Sequence, residues 1–262
     1  MCELLGMSFS APATPSISFL GFRQRGEHHP DGWGIAFYPD NSAQVIKEPV
    51  KAGSSALSDF LKDYRGISSR IIIAHVRKAS VGNNYHRNTH PFQRECMGRD
   101  FVFAHNGTLK EYRTELGLTY FNPVGETDSE HAFCYILDRI LKNRITEWKE
   151  ENFRWLLGVL AKVNKFGTLN CLFSEGNLLF AYRDKDGKRD LNFVRRTPPY
   201  GKIKLLDKDY EIDLAKDADQ RKSGYIIATC PLTDEKWESF GKGELIVFRD
   251  GEIVFRGVAP TL

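Results

Sequence analysis

At 262 residues the chain is long enough for one sizeable core, or for two smaller ones. Its 37 basic and 34 acidic side chains are interspersed and leave a net charge of +3, which gives no electrostatic case for nucleic acid, and no apolar run approaches the ~18 residues that a membrane span needs. Five scattered cysteines, odd in number and without a CxxC pair, fit a reduced cytoplasmic protein, and the N-terminus lacks the basic segment and apolar core of a signal peptide.

Residues 2–9 read as a buried first strand with Cys2 at its end. A short apolar segment of one or two helical turns follows at 16–23, then the glycine-rich loop Arg25-Gly26-Glu27-His28-His29-Pro30-Asp31-Gly32-Trp33-Gly34. Residues 34–38 and 43–50 form a strand and its hairpin partner. A helix capped by Ser54 or Ser55 runs to about Tyr64 and places Leu57, Phe60 and Leu61 on one face. The continuous apolar run in 70–76 predicts a buried strand, 78–100 a long irregular loop, and 101–105 a strand that stops at Asn106-Gly107.

Thr127-Asp128-Ser129-Glu130 has the spacing of a capping box before a helix, and a second helix spans 151–165 with Gly167 in the place of a C-cap glycine. Hairpins across Glu175-Gly176-Asn177 and Asp250-Gly251, with strands near 191–196, 203–206 and 225–230, fill the remainder. Strands, then two helices, then many strands argue against a parallel αβα sheet. They predict an α+β fold of two packed antiparallel sheets with helices outside, and no linker divides the chain.

Five features carry chemistry. With Met1 removed, Cys2 has a thiol beside its own α-amine, groups with ordinary pKa values of ~8.5 and ~8, so nucleophile and base share one residue. Arg77, after the buried strand, suits a carboxylate, or is simply a surface arginine at a strand end. Asn106 and Gly107 suit an oxyanion hole, or an ordinary Asn-Gly turn. Asp128 suits an α-ammonium, or merely the first turn of a helix. The loop from Arg25 to Gly34 and the stretch Asn88-Thr89-His90-Pro91-Phe92 suit a pocket rim, or turn chemistry and core aromatics.

Together these residues resemble the class II glutamine amidotransferases, the Cys-type N-terminal nucleophile hydrolases. Arg77-Lys78-Ala79-Ser80-Val81-Gly82 is similar to the family's carboxylate-binding strand end. His29-Pro30-Asp31-Gly32-Trp33-Gly34, Pro231-Leu232-Thr233-Asp234-Glu235 and Gly243-Glu244-Leu245 resemble its compact, stand-alone bacterial members. The resemblance covers nearly the whole chain and implies a single domain over residues 2–262, folded as the four-layer αββα sandwich of the Ntn hydrolases. It implies that Cys2 attacks a γ-glutamyl amide, with Asn106 and Gly107 as oxyanion hole. Arg77 with the Ser80 region would hold the substrate carboxylate and Asp128 its α-ammonium, while His90 would be a pocket histidine. No metal or cofactor is implied.

This chain departs from the larger synthases, which carry tryptophan directly after that arginine and histidine four places after it. Lys78 and Val81 stand there, and Ser80 replaces a common threonine. A substrate other than free glutamine is therefore open. So is the acceptor, because no synthase domain is read in the chain: a separate ammonia-accepting subunit, or none.

Two other classes compete. A metal-dependent hydrolase would draw on His28, His29, Asp31, His75, His86, His90, His105 and His131, but no HExxH or comparable spacing appears. An inactive or partner-dependent γ-glutamyl-binding subunit would keep the pocket without turnover. The intact set of Cys2, Arg77, Asn106 and Asp128 argues against it.

Overall fold

The central strands are near-continuous buried runs, so both faces of each sheet must be covered: two antiparallel sheets pack one face against each other and helices cover the other. The computed structural model describes residues 2–25, 28–64, 66–206, 210–214 and 221–259. β1 (Glu3–Ala13), β2 (Trp33–Phe37), β3 (Gln44–Glu48) and β4 (Ser69–Val76) come first, with α1 (Ser16–Arg25) and α2 (Ala56–Asp63) among them. β5 (Phe92–Cys96) and β6 (Arg99–Leu109) precede α3 (Tyr112–Glu115), α4 (Asp128–Lys142) and α5 (Glu150–Asn164). Then come β7 (Gly167–Ser174), β8 (Leu179–Tyr182), β9 (Asn192–Arg196) and a ribbon of β10 (Lys202–Leu205) with β11 (Tyr210–Asp213). β12 (Gly224–Ala228), β13 (Glu238–Ser239), β14 (Glu244–Arg249) and β15 (Glu252–Val258) follow.

The first sheet runs β13-β9-β12-β1-β4-β2-β3 and the second β15-β14-β8-β7-β6-β5. Between them Leu4, Ile71, Ile73, Val102, Ala104 and Leu172 form a shared apolar layer. Outside the first sheet, Phe19, Phe22 and Leu61 from α1 and α2 cover Leu5, Met7 and Ile72. Outside the second, Phe133 and Ile136 of α4 and Leu156 and Leu160 of α5 cover Phe103 and Phe173. Each such side chain contributes about 1.5–3 kcal/mol by leaving water. The result is the expected four-layer αββα arrangement. Among the described residues no helix is long and apolar enough to cross a membrane.

Several local expectations need correction. The irregular stretch 78–100 contains β5, which pairs with β6 through a two-residue loop, Met97-Gly98, with φ of 55° and 76°. That is the twist a tight hairpin needs, supplied here without the usual Asn-Gly pair. Asn106-Gly107 is no turn: β6 continues to Leu109 because β7 extends the ladder, with Asn106 opposite Asn170 and Gly107 opposite Leu169. In α2, Ser55 caps as expected, its hydroxyl accepting the Ser58 N–H at 2.8 Å, but Leu57 is 38% exposed and Phe60 59%. Ser58 and Leu61 face inward instead.

Thr127 caps α4 by accepting the Glu130 N–H at 3.2 Å, yet Glu130 does not reciprocate. Its carboxylate takes the Val124 and Gly125 N–H groups at 3.0 and 2.6 Å and pairs with Arg94. Gly167 is no cap either: with φ of 153° it opens β7, and a Cβ there would lie 2.1 Å from the Thr108 carbonyl oxygen. β11 and β13 are additional strands. Met1 and the Gly26-Glu27 portion of the glycine-rich loop lie outside the described residues.

Candidate functional site

β1 is the fourth of seven strands, and its register brings Glu3 opposite Val76, the last residue of β4. Cys2 therefore emerges beside Arg77 and Lys78. Its Sγ accepts the Lys78 N–H at 3.3 Å and donates to the Lys78 carbonyl at 3.3 Å. Burial pushes the thiol up from its ordinary value, the Lys78 N–H and the Arg77 guanidinium pull it down, and Asp128 raises it further. Arg77 and Asp128 thus both lie within electrostatic reach of the sulfur. At neutral pH Cys2 is a thiol that needs a base.

Arg77 is 2% exposed. Nη2 donates to the carbonyls of Val81 and Gly82 at 2.9 and 3.0 Å, and Nη1 to the Asn84 side chain at 3.1 Å and the carbonyls of Asp31 and Asn83 at 3.3 and 3.4 Å. The guanidinium is the hub around which residues 81–84 fold. Asp31 holds the same segment from the other side. Its carboxylate accepts the Ala79 N–H at 2.7 Å and the Asn84 amide at 2.9 Å. Its backbone N–H donates to the Arg77 carbonyl at 3.1 Å, and the Arg77 N–H donates to Gly32 at 2.7 Å. The His29–Gly34 stretch is thereby a clamp on the loop as well as a turn.

The second sheet supplies the opposite wall. The Ser80 and Thr108 hydroxyls meet at 3.0 Å, which ties the loop to β6, and the Asp128 carboxylate accepts the Leu109 N–H at 2.6 Å, which ties α4 to the same strand. Asn106 is 4% exposed, and its side-chain amide takes no hydrogen bond from the described residues. Gly107 permits a close approach: a Cβ there would stand 2.0 Å from the Thr168 carbonyl oxygen and 2.5 Å from His105 Nε2.

Sequence reasoning gave His75 and His105 no part in this arrangement beyond a list of possible metal ligands. The Thr168 carbonyl can only accept, so His105 Nε2, 3.0 Å away, carries the proton. Nδ1 then accepts from the Ser129 hydroxyl at 2.8 Å, so one imidazole joins the Asn106 strand to the helix that bears Asp128. Across the gap between sheets, His75 Nε2 donates to the His105 carbonyl at 3.2 Å. His90 stacks on His75 with ring centroids 4.2 Å apart. Both of its ring nitrogens are buried without a partner, as is His75 Nδ1. Burial lowers the pKa of all three rings, His75 to about 3, which favours their neutral forms. The available signal was proximity: His75 stands two residues before Arg77, inside the buried apolar run that ends β4.

Cys2 is thus hydrogen-bonded to the loop that follows Arg77, and that loop, through Ser80 and Thr108, is tied to β6, the strand that carries Asn106 and Gly107 and is bonded to Asp128 at Leu109. His90 is placed one layer behind, against β4. Among the described residues no three His, Cys, Asp or Glu side chains gather as a metal site would require.

The sequence matches the family Glutamine amidotransferases class-II over residues 1–262. It is 49% identical over 255 residues to an uncharacterized protein of Methanocaldococcus jannaschii, spanning 97% of this chain and 71% of that one. It is 38% identical over 260 residues to the Escherichia coli K12 protein named "Putative glutamine amidotransferase YafJ", spanning 97% of this chain and 100% of that one. Among solved structures, a predicted glutamine amidotransferase from Pseudomonas aeruginosa superposes with a TM-score of 0.72 at 29% identity, covering 97% of this chain and 100% of that one. The glutamine phosphoribosylpyrophosphate amidotransferase of B. subtilis shares the fold alone, with a TM-score of 0.66 at 16% identity over 98% of this chain and 49% of that one. With the family match, the identities and the architecture in agreement, this chain belongs to the class II glutamine amidotransferases.

Proposed function

We propose that the protein hydrolyses the γ-amide of glutamine or of a γ-glutamyl compound through a thioester on Cys2, releasing glutamate and ammonia or an amine. The observation that carries this reading is the setting of the Cys2 thiol, held by the Lys78 main chain within electrostatic reach of a buried cation, Arg77, and a buried anion, Asp128. A cation and an anion near one nucleophile match the carboxylate and ammonium of an amino-acid head. A carboxylate makes charge-assisted bonds about twice as strong as a carbonyl does, so the substrate displaces the Val81 and Gly82 carbonyls from Arg77.

Removal of Met1 frees the α-amine, which takes the thiol proton as sulfur attacks the γ-carbonyl carbon. The carbonyl oxygen becomes an oxyanion between the Asn106 amide and the Gly107 N–H, donors of a kind worth about 10²–10³ in rate. The C–N bond then breaks, the α-ammonium protonates the departing nitrogen, and water, deprotonated by the same amine, hydrolyses the thioester. His90 supports the Arg77 strand from behind through His75. Ammonia is either released or passed to a separate accepting subunit.

The test is a panel of glutamine, glutathione and other γ-glutamyl amides assayed for glutamate with wild type and Cys2→Ala. Release by wild type that Cys2→Ala abolishes is expected, from enzyme whose intact mass lacks Met1. Binding of these compounds without release would instead make the chain a γ-glutamyl-binding subunit.

A further inference from the structure

We propose that Lys78 reads the leaving group, and that the preferred substrates are γ-glutamyl compounds whose departing amine carries a carboxylate. This rests on the hydrolase reading above and narrows it to a substrate class.

Three observations combine. The first is position. Both polar main-chain atoms of Lys78 lie 3.3 Å from the Cys2 sulfur, so its side chain departs from a Cα beside the reacting atoms. The second is the exposed ammonium of Lys78, which has no ion pair among the described residues, while nearby Glu3 already pairs with Arg25 at 3.1 Å.

The third is direction. Asp128 and Arg77, which take the ammonium and carboxylate of the γ-glutamyl head, are 3% and 2% exposed. The head enters first, and the leaving side remains at the rim with Lys78. When glutamine reacts, that side is ammonia, which offers a cation nothing to hold. When a γ-glutamyl amino acid or peptide reacts, it bears a carboxylate close to the departing nitrogen. An ammonium on a flexible four-carbon stem can follow such a group through bond breaking. The same exposed ammonium attracts anionic groups at the rim before they bind, an effect that salt screens.

The experiment uses a matched pair, γ-glutamyl-alanine and γ-glutamyl-alaninamide, with glutamine alongside. kcat/KM is measured for wild type, Lys78→Met and Lys78→Glu, and the acid-to-amide ratio is compared between enzymes. Intrinsic differences between the leaving amines, and any loss common to both substrates, cancel in that comparison. The ratio should fall about three- to tenfold in Lys78→Met, the size of a partly screened ion pair, and further in Lys78→Glu. Raising salt should depress the wild-type ratio and leave that of Lys78→Met unmoved. Ratios equal in all three enzymes would overturn the assignment. Wild-type turnover of glutamine with neither alanine compound cleaved would also overturn it while sparing the hydrolase reading. No turnover of any of the three would remove both.

Discussion

Asp128 offers a test in which structural and substrate roles separate. Its carboxylate is 3% exposed, accepts the Leu109 N–H at 2.6 Å and stands in the first turn of α4. Asp128→Asn keeps an acceptor oxygen and removes the charge. Exchanging a charged hydrogen bond for a neutral one, and losing an anion at a helix N-terminus, should together cost about 1–2 kcal/mol of stability. Removing one partner of a desolvated pair typically costs 2–5 kcal/mol of binding, so kcat/KM for a γ-glutamyl substrate should fall about 100-fold. Asp128→Ala also strands the buried Leu109 N–H and should lose a further ~1–3 kcal/mol of stability. Urea unfolding reads the first quantity and glutamate release the second. Glutaramate, which lacks the α-ammonium, supplies the control by ammonia release: wild type should handle it poorly, and Asp128→Asn no worse than wild type. If Asp128→Asn lost as much on glutaramate as on glutamine, or lost nothing on glutamine, Asp128 would not be the ammonium site.

Three further outcomes follow from the same geometry. Gly107→Ala must push β6 from β7 to relieve the 2.0 Å approach to Thr168, costing about 1–3 kcal/mol in urea unfolding and about 100-fold in turnover from a displaced oxyanion hole; wild-type turnover would remove Gly107 from the site. Because burial raises the Cys2 thiol, its alkylation by iodoacetamide should climb about tenfold per pH unit from 7 to 9 without a plateau, followed by peptide mapping to separate exposed Cys230; a plateau near pH 7 would refute the burial effect. Gly158 sits inside α5 with open space where a Cβ would go, so Gly158→Ala should stabilise by about 0.5–1 kcal/mol in urea, and a loss would contradict the helix there.

Local periodicity made much of the fold legible. The apolar run before Arg77 and the helical spacing of Phe153, Leu156, Leu157, Leu160 and Val163 need no tertiary knowledge, and all five of those side chains are buried. What could not be read is decided between distant segments. β6 runs on through Asn106-Gly107 only because β7, some 60 residues later, pairs with it. Phe60 faces out although its spacing with Leu57 and Leu61 suggests a buried face, while Ser58 faces in and accepts from Arg23 of α1 at 2.9 Å. The residue types of the candidate site stood in the sequence, while the company they keep did not. That Arg77 grips five acceptors, and that His75 reaches the His105 carbonyl, are facts of loops and sheets meeting across long separations.

Cys2 rides on one sheet, whereas Asn106 and Gly107 ride on the other. Their separation is therefore a thickness, fixed by how Leu4, Ile73, Ala104 and Leu172 fill the space between. Interior oil acts as the shim of a caliper whose jaws are sulfur and amide. Trimming a methyl from that filling, far from any solvent, would alter the bite of the jaws before it loosened the molecule as a whole.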